Sequence, residues 1–104
     1  MAVTDPYELI RGAILGREQV VATYGGHERE MCPHAIGTKN GRPQVLFFQF
    51  AGGSRSGLPP GGGWRCLPVD FLSDVVVRAG RWHTSVDYDG PGTCIDEVDV
   101  EVGR

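Results

Sequence analysis

The sequence predicts a mainly β domain: one short N-terminal helix, then a small antiparallel barrel or a strongly bent antiparallel sheet. Three observations predict this. Helical spacing of apolar residues is confined to the first sixteen positions. The remainder breaks into short runs rich in β-branched and aromatic residues, separated by turn signals at hairpin length. No repeat or change of composition divides the chain, so 1–104 reads as a single domain that can bury one modest core. The expected layout is a helix over about 5–16, a β core over about 17–79, and a C-terminal extension with a strand over about 94–102.

The helix is read from Asp5-Pro6-Tyr7-Glu8. Asp5 can cap, Pro6 suits the first helical position, and Glu8 stands where a capping-box partner belongs. Tyr7, Ile10 and Ile14 then share one face, and Gly16 is a natural stop. Glu18 to Tyr24 reads as a strand ended by Gly25-Gly26. His27 to Thr38 reads as a strand with a kink or an edge position at Cys32-Pro33-His34, because Pro33 has no N–H to donate. Asn40-Gly41 is a strong hairpin turn signal.

Pro43 to Phe50 is the expected central strand. Alternation sends Leu46, Phe48 and Phe50 to one face and Val45, Phe47 and Gln49 to the other. Both faces are mostly apolar, which requires cover on both sides. Ala51 to Gly63 carries six glycines and two prolines, so it is a long connecting loop of the kind that is usually functional or disordered. Arg65 to Leu72 resumes strand character with an edge or bulge at Pro68; Ser73-Asp74 bends the chain, and Val75–Val77 is a short strand. Arg81 to Gly92 is turn-rich, with Trp82 expected to close one end of the fold. In the last strand Val98, Val100 and Val102 alternate with Asp99 and Glu101, giving a half-buried strand with a solvated acidic face. Among small β architectures with one leading helix, the Sm-like and SH3-like barrels are the natural candidates.

Composition narrows the function. The net charge of −3 argues against coating nucleic acid through bulk charge. Nine of the ten basic residues are Arg, the residue suited to a planar grip on carboxylate or phosphate; a bias toward Arg codons explains the same count. No apolar run approaches the ~18 residues of a membrane span. Residues 1–6 lack a basic flank and an apolar stretch, so a cytoplasmic protein is expected. Cys32, Cys66 and Cys94 are odd in number and widely spaced, which reads as free thiols in a reducing compartment rather than a disulfide framework.

The candidate site is the loop Gly52–Gly57 with its neighbours. Glycines let backbone N–H groups approach an anion, Ser54 and Ser56 offer hydroxyls, and Arg55 offers a guanidinium fork. The Lys-Ser/Thr ending of a P-loop is missing, and no cofactor is expected. Arg65 beside Trp64 can grip or stack on a ligand, or simply pack on the indole; Gln49 is the polar exception on an apolar strand. A zinc site would draw on Cys32, His34, Cys66 and Cys94 as a Cys3His set, without a C-x-x-C knuckle, and a small metal-dependent enzyme would use Cys32 and His34. Val45 and Phe47 motivate a third alternative, a protein–protein or homodimer surface.

The runs PHAIGTKNGRPQVLFFQF and WRCLPVDFLSDVVV resemble the core of a WYL domain over roughly residues 17–79. The family's Trp-Tyr-Leu triplet falls on Gln44-Val45-Leu46, where only Leu46 agrees. Its later motif falls on Pro68–Leu72, which keeps Asp70 and the apolar positions but loses both arginines. The chain is also similar to small stand-alone bacterial proteins with a QFGG-S-SG-like loop followed by Trp-Arg. The resemblance implies an Sm-like or SH3-like barrel and a non-enzymatic sensing module, without the helix-turn-helix that usually accompanies such domains. It implies a nucleotide-like, single-stranded nucleic-acid or other anionic ligand. The expected site gathers His34, Gln49, Ser54, Arg55, Ser56 and Arg65.

Overall fold

The computed structural model describes residues 5–54 and 57–103. Helix α1 spans Pro6–Gly16; the Asp5 carboxylate accepts from the Tyr7 N–H, and Pro6 takes the first turn. The helix ends when Arg17 turns left-handed (φ 50°) and its N–H reaches back to Ala13 and Ile14. Six strands follow among the described residues: β1 (Gln19–Tyr24), β2 (His27–Lys39), β3 (Arg42–Gly52), β4 (Gly63–Pro68), β5 (Ser73–Arg78) and β6 (Glu97–Glu101). Short 3-10 turns occupy Val69–Phe71 and Gly92–Cys94.

All the pairings are antiparallel, in the order β4-β3-β2-β1-β5, with β6 set against β2. Among the described residues no pairing joins β4 to β5, so the mainly β class stands and the sheet is not closed into a barrel. Strand β2 holds this sheet together. One of its edges carries β3 along most of its length. The other is divided: β1 takes His27 to Met31 and β6 takes Ala35 to Thr38. Pro33, which has no N–H, lies in the gap between these partners, and the register with β3 shifts between Pro33 and Ala35. The kink is therefore where the proline is, but the strand is central rather than an edge. The missing donor falls where one neighbour has left and the next has not arrived. At Gly37 β6 comes so close that a Cβ would fall 2.0 Å from the Glu97 carbonyl oxygen, which reserves the position for glycine.

The β2–β3 hairpin turns at Asn40 and Gly41, both with positive φ (53° and 78°), as the Asn-Gly pair predicts. Alternation along β3 then builds two clusters. Val45 and Phe47 join Ile10, Ile14, Val20, Met31 and Ile36 on the face covered by α1. Leu46 packs with Ala35, Cys94 and Ile95 on the other, against Trp64 and Tyr88. Both faces are covered, as the apolar run requires. Val45 and Phe47 are 0% exposed, so the surface that motivated a homodimer reading is the domain's own core.

Strand β4 stops at Pro68, and Val69–Phe71 winds into a 3-10 turn instead of continuing to Leu72. Strand β6 starts only at Glu97, and its Val98 is 44% exposed. Its acidic residues are not merely solvated. Asp99 accepts from the Tyr7 hydroxyl (2.7 Å) and from Arg11 Nε (3.2 Å), which fastens α1 to the sheet. Glu101 accepts from the Tyr88 hydroxyl at 2.6 Å. The phenol of Tyr7 is pushed up to about 12, by burial first and then by its bond to Asp99.

Cys66 and Cys94 form a disulfide, which corrects the expectation of free thiols. Pairing of β4 with β3 sets Cys66 opposite Leu46, and the turn that carries Cys94 packs on the same face. The two Cα atoms are thereby brought within 5.7 Å, inside the range a disulfide spans. Linear spacing hid this because the intervening segment doubles back. Cys32 is the remaining thiol, and it is buried. No helix among the described residues is long and apolar enough to cross a membrane.

Candidate functional site

Gln49 ends the buried part of β3, at the point where its face loses the cover of apolar side chains. A wholly buried amide must find partners for its oxygen and its NH2. Its Nε2 donates to the carbonyls of Ala51 (3.0 Å) and Gly53 (2.9 Å), tying down the start of the glycine loop. Its Oε1 accepts from two guanidinium groups, Arg29 Nη1 and Arg65 Nε, each at 3.4 Å. Arg65 extends the same net: Nη2 reaches Ser54 Oγ (3.5 Å) and the Gly57 carbonyl (3.2 Å). Gly52 (φ 90°) lets the loop leave the strand; a Cβ there would sit 2.4 Å from the Glu28 carbonyl oxygen.

Arg29 is the residue that sequence reasoning missed. It is only 4% exposed, although it lies in a strand that looks polar. Its Nε and Nη2 donate to the Tyr24 carbonyl across the β1–β2 turn (3.3 and 3.1 Å), and its guanidinium lies 5.1 Å from the centre of the Tyr24 ring. Burial, then the charge of Arg65, holds its pKa below the ordinary arginine value. The ion pairs among the described residues are Arg11–Asp99 and Arg78–Glu30, so no described carboxylate pairs with Arg29 or Arg65. Two cations therefore converge on one neutral amide oxygen beside a glycine loop. The one available signal was the Tyr-Gly-Gly turn, which lets an arginine five residues on fold back onto the Tyr24 carbonyl.

Of the expected site residues, Gln49, Ser54 and Arg65 come together with the loop. Arg55 and Ser56 lie outside the described residues. His34 belongs elsewhere. Trp64 and Arg65 are consecutive on β4 and so point to opposite faces. Arg65 meets Gln49 on one face, while His34 meets Trp64 on the other (ring centres 4.8 Å apart). The imidazole also lies against Trp82 (4.9 Å) and Tyr88 (5.0 Å), in the turn-rich segment after β5. Its Nδ1 is 2.9 Å from the Cys32 carbonyl, which can only accept, so Nδ1 carries the proton and Nε2 accepts from the Thr84 hydroxyl at 2.8 Å.

The His34 ring thus pins a strap of chain across the sheet. Cys32 does the same, its Sγ accepting from the His83 N–H. Trp82 packs on the core against His34, with Arg17 above its ring. These contacts occupy both ring nitrogens and the Cys32 sulfur, while Cys66 and Cys94 are bonded to each other. No cluster of three or more possible metal ligands occurs among the described residues.

Burial pushes the His34 imidazole below its ordinary value; the Cys32 carbonyl opposes this and the Arg17 charge adds to it. The unfolded chain protonates first as pH falls. The contribution of His34 is therefore complete above its unfolded pKa of about 6.5 and declines as pH drops below it. Thermal melts between pH 7.5 and 5 should show this loss, and His34→Gln should flatten the profile in that window. An unchanged slope in the variant would exclude His34 as its origin. The depressed carboxyls of Asp87 and Asp99 act only at more acidic pH.

Comparison of the chain with protein-family models, with curated proteins and with solved structures found no match.

Proposed function

We propose that the protein is a non-enzymatic module that binds a small anion of the phosphate type at the Arg29–Gln49–Arg65 cluster. The observation that carries this reading is the pair of guanidinium groups sharing the Gln49 oxygen with no carboxylate beside them among the described residues. Like charges brought together at a buried amide repel, and an anion between or beside them removes that cost. Planar guanidinium forks suit phosphate or carboxylate oxygens. Glycine backbone and the Ser54 hydroxyl supply further donors at the rim. Arginine does not exchange its proton near neutral pH, so the chemistry that Arg29 and Arg65 offer is binding rather than proton transfer.

The resemblance to WYL domains, with their anionic ligands and Sm-like barrels, agrees with this reading. Strand β5 lies beside β1, at the edge of the sheet opposite β4.

Titration calorimetry with inorganic phosphate and pyrophosphate tests the proposal. Binding is expected to weaken as salt rises, and Arg65→Ala should lower the affinity at least about tenfold, the cost of losing one charged hydrogen-bonding group. Absence of binding, or equal affinity in Arg65→Ala, would overturn it.

A further inference from the structure

The cleft beside Arg29 gives the anion a shape. It encloses about 380 Å³ and is lined by Tyr24, Gly25, Arg29 and Phe71. That is near the small end of ligand-binding pockets and admits one ring system rather than a polymer. Phe71 is 67% exposed, an unusual position for so large an apolar group. It is not carried on a loose loop. It ends the Val69–Phe71 turn, whose flanks Val69 and Leu72 are buried and joined by a backbone hydrogen bond of 3.1 Å. A rigid support therefore holds an aromatic face in solvent at the mouth of a cleft containing a buried cation.

Gly25 (φ 61°) adds no side chain to the opposite wall. Arg29 turns part of its fork to Tyr24 and to Gln49, which leaves other N–H groups of the guanidinium for a ligand.

Resting on the anion-binding reading, we propose that the ligand is a planar aromatic anion of mononucleotide size, its ring stacked on Phe71 and its charged group held by Arg29, the cation that lines the cleft and shares the Gln49 oxygen with Arg65. Charge and apolar surface in the cleft then each have a partner. Neither phosphate alone nor an uncharged ring uses both.

Calorimetry with adenosine monophosphate, adenosine and inorganic phosphate, on wild type, Phe71→Ala and Arg65→Ala, separates the two parts. Wild type should bind adenosine monophosphate more tightly than phosphate or adenosine. Phe71→Ala, at an exposed position, should keep the wild-type melting temperature. It should weaken adenosine monophosphate about tenfold, the usual effect of losing one stacking partner, and leave phosphate unchanged. If Arg65→Ala weakens phosphate while Phe71→Ala leaves adenosine monophosphate untouched, the anion site stands and the ring slot is overturned. If Phe71→Ala weakens adenosine monophosphate and Arg65→Ala does not, the ring slot stands and the anion assignment fails. If no probe binds, both are overturned.

Discussion

Replacing Gln49 with leucine is expected to remove about 3–4 kcal/mol of folding stability, although the two side chains are close in size. The amide is 0% exposed and serves four partners at once. Without it, the Ala51 and Gly53 carbonyls lose their donor, and Arg29 and Arg65 lose the oxygen that holds them together. Each buried polar group left unpaired costs about 1–3 kcal/mol, discounted here because Arg65 and the loop can take up water. Against the roughly 5–15 kcal/mol that stabilise an ordinary domain, this is a large fraction. Urea unfolding measures it, and a loss below about 1 kcal/mol would mean that the net is not buried in solution. Gln49→Glu is the informative companion. It presents a carboxylate to both arginines and should abolish phosphate binding by supplying an internal anion.

Removing the Cys66–Cys94 bridge is expected to cost a similar amount, about 3–4 kcal/mol for a loop with a sequence separation of 28. The bridge fastens β4, an outer strand of the sheet, to the strap that surrounds His34. The Cys66→Ser/Cys94→Ser protein and reductant-treated wild type should unfold at the same lower urea concentration. A midpoint indifferent to reductant would show that the thiols do not pair in solution. Because the bond joins two segments on the face opposite Gln49, its loss should leave anion affinity nearly unchanged in the folded protein.

Sequence reading succeeded where structure is periodic or local. The helix start, the Asn40-Gly41 turn and the two-sided burial of Val45–Phe48 follow from spacing alone, because each is decided within a few residues. It also brought Gln49, Ser54 and Arg65 together, since a polar residue on an apolar strand must be answered by something near the strand's end. It failed where partners lie far apart in the chain. Arg29 looks like a solvated strand residue until β3 brings Gln49 to it. His34 looks like a loop neighbour until Trp82, Thr84 and Tyr88 cross the other face. The bond between Cys66 and Cys94 depends on the path of the turn-rich segment, which has no periodicity to read.

The divided edge of β2 has a consequence for how the chain acquires its shape. Its first half is paired by β1, immediately before it in sequence, whereas its second half waits for β6. The meander of β1 to β3 needs only short loop closures and can form early. Seating β6 needs a contact of high sequence separation, which is slow to form. Until then the backbone of Ala35 to Thr38 offers unsatisfied amides to any passing strand. The window between meander and final strand is therefore when this protein is most exposed to aggregation during synthesis, and a chaperone would matter most there.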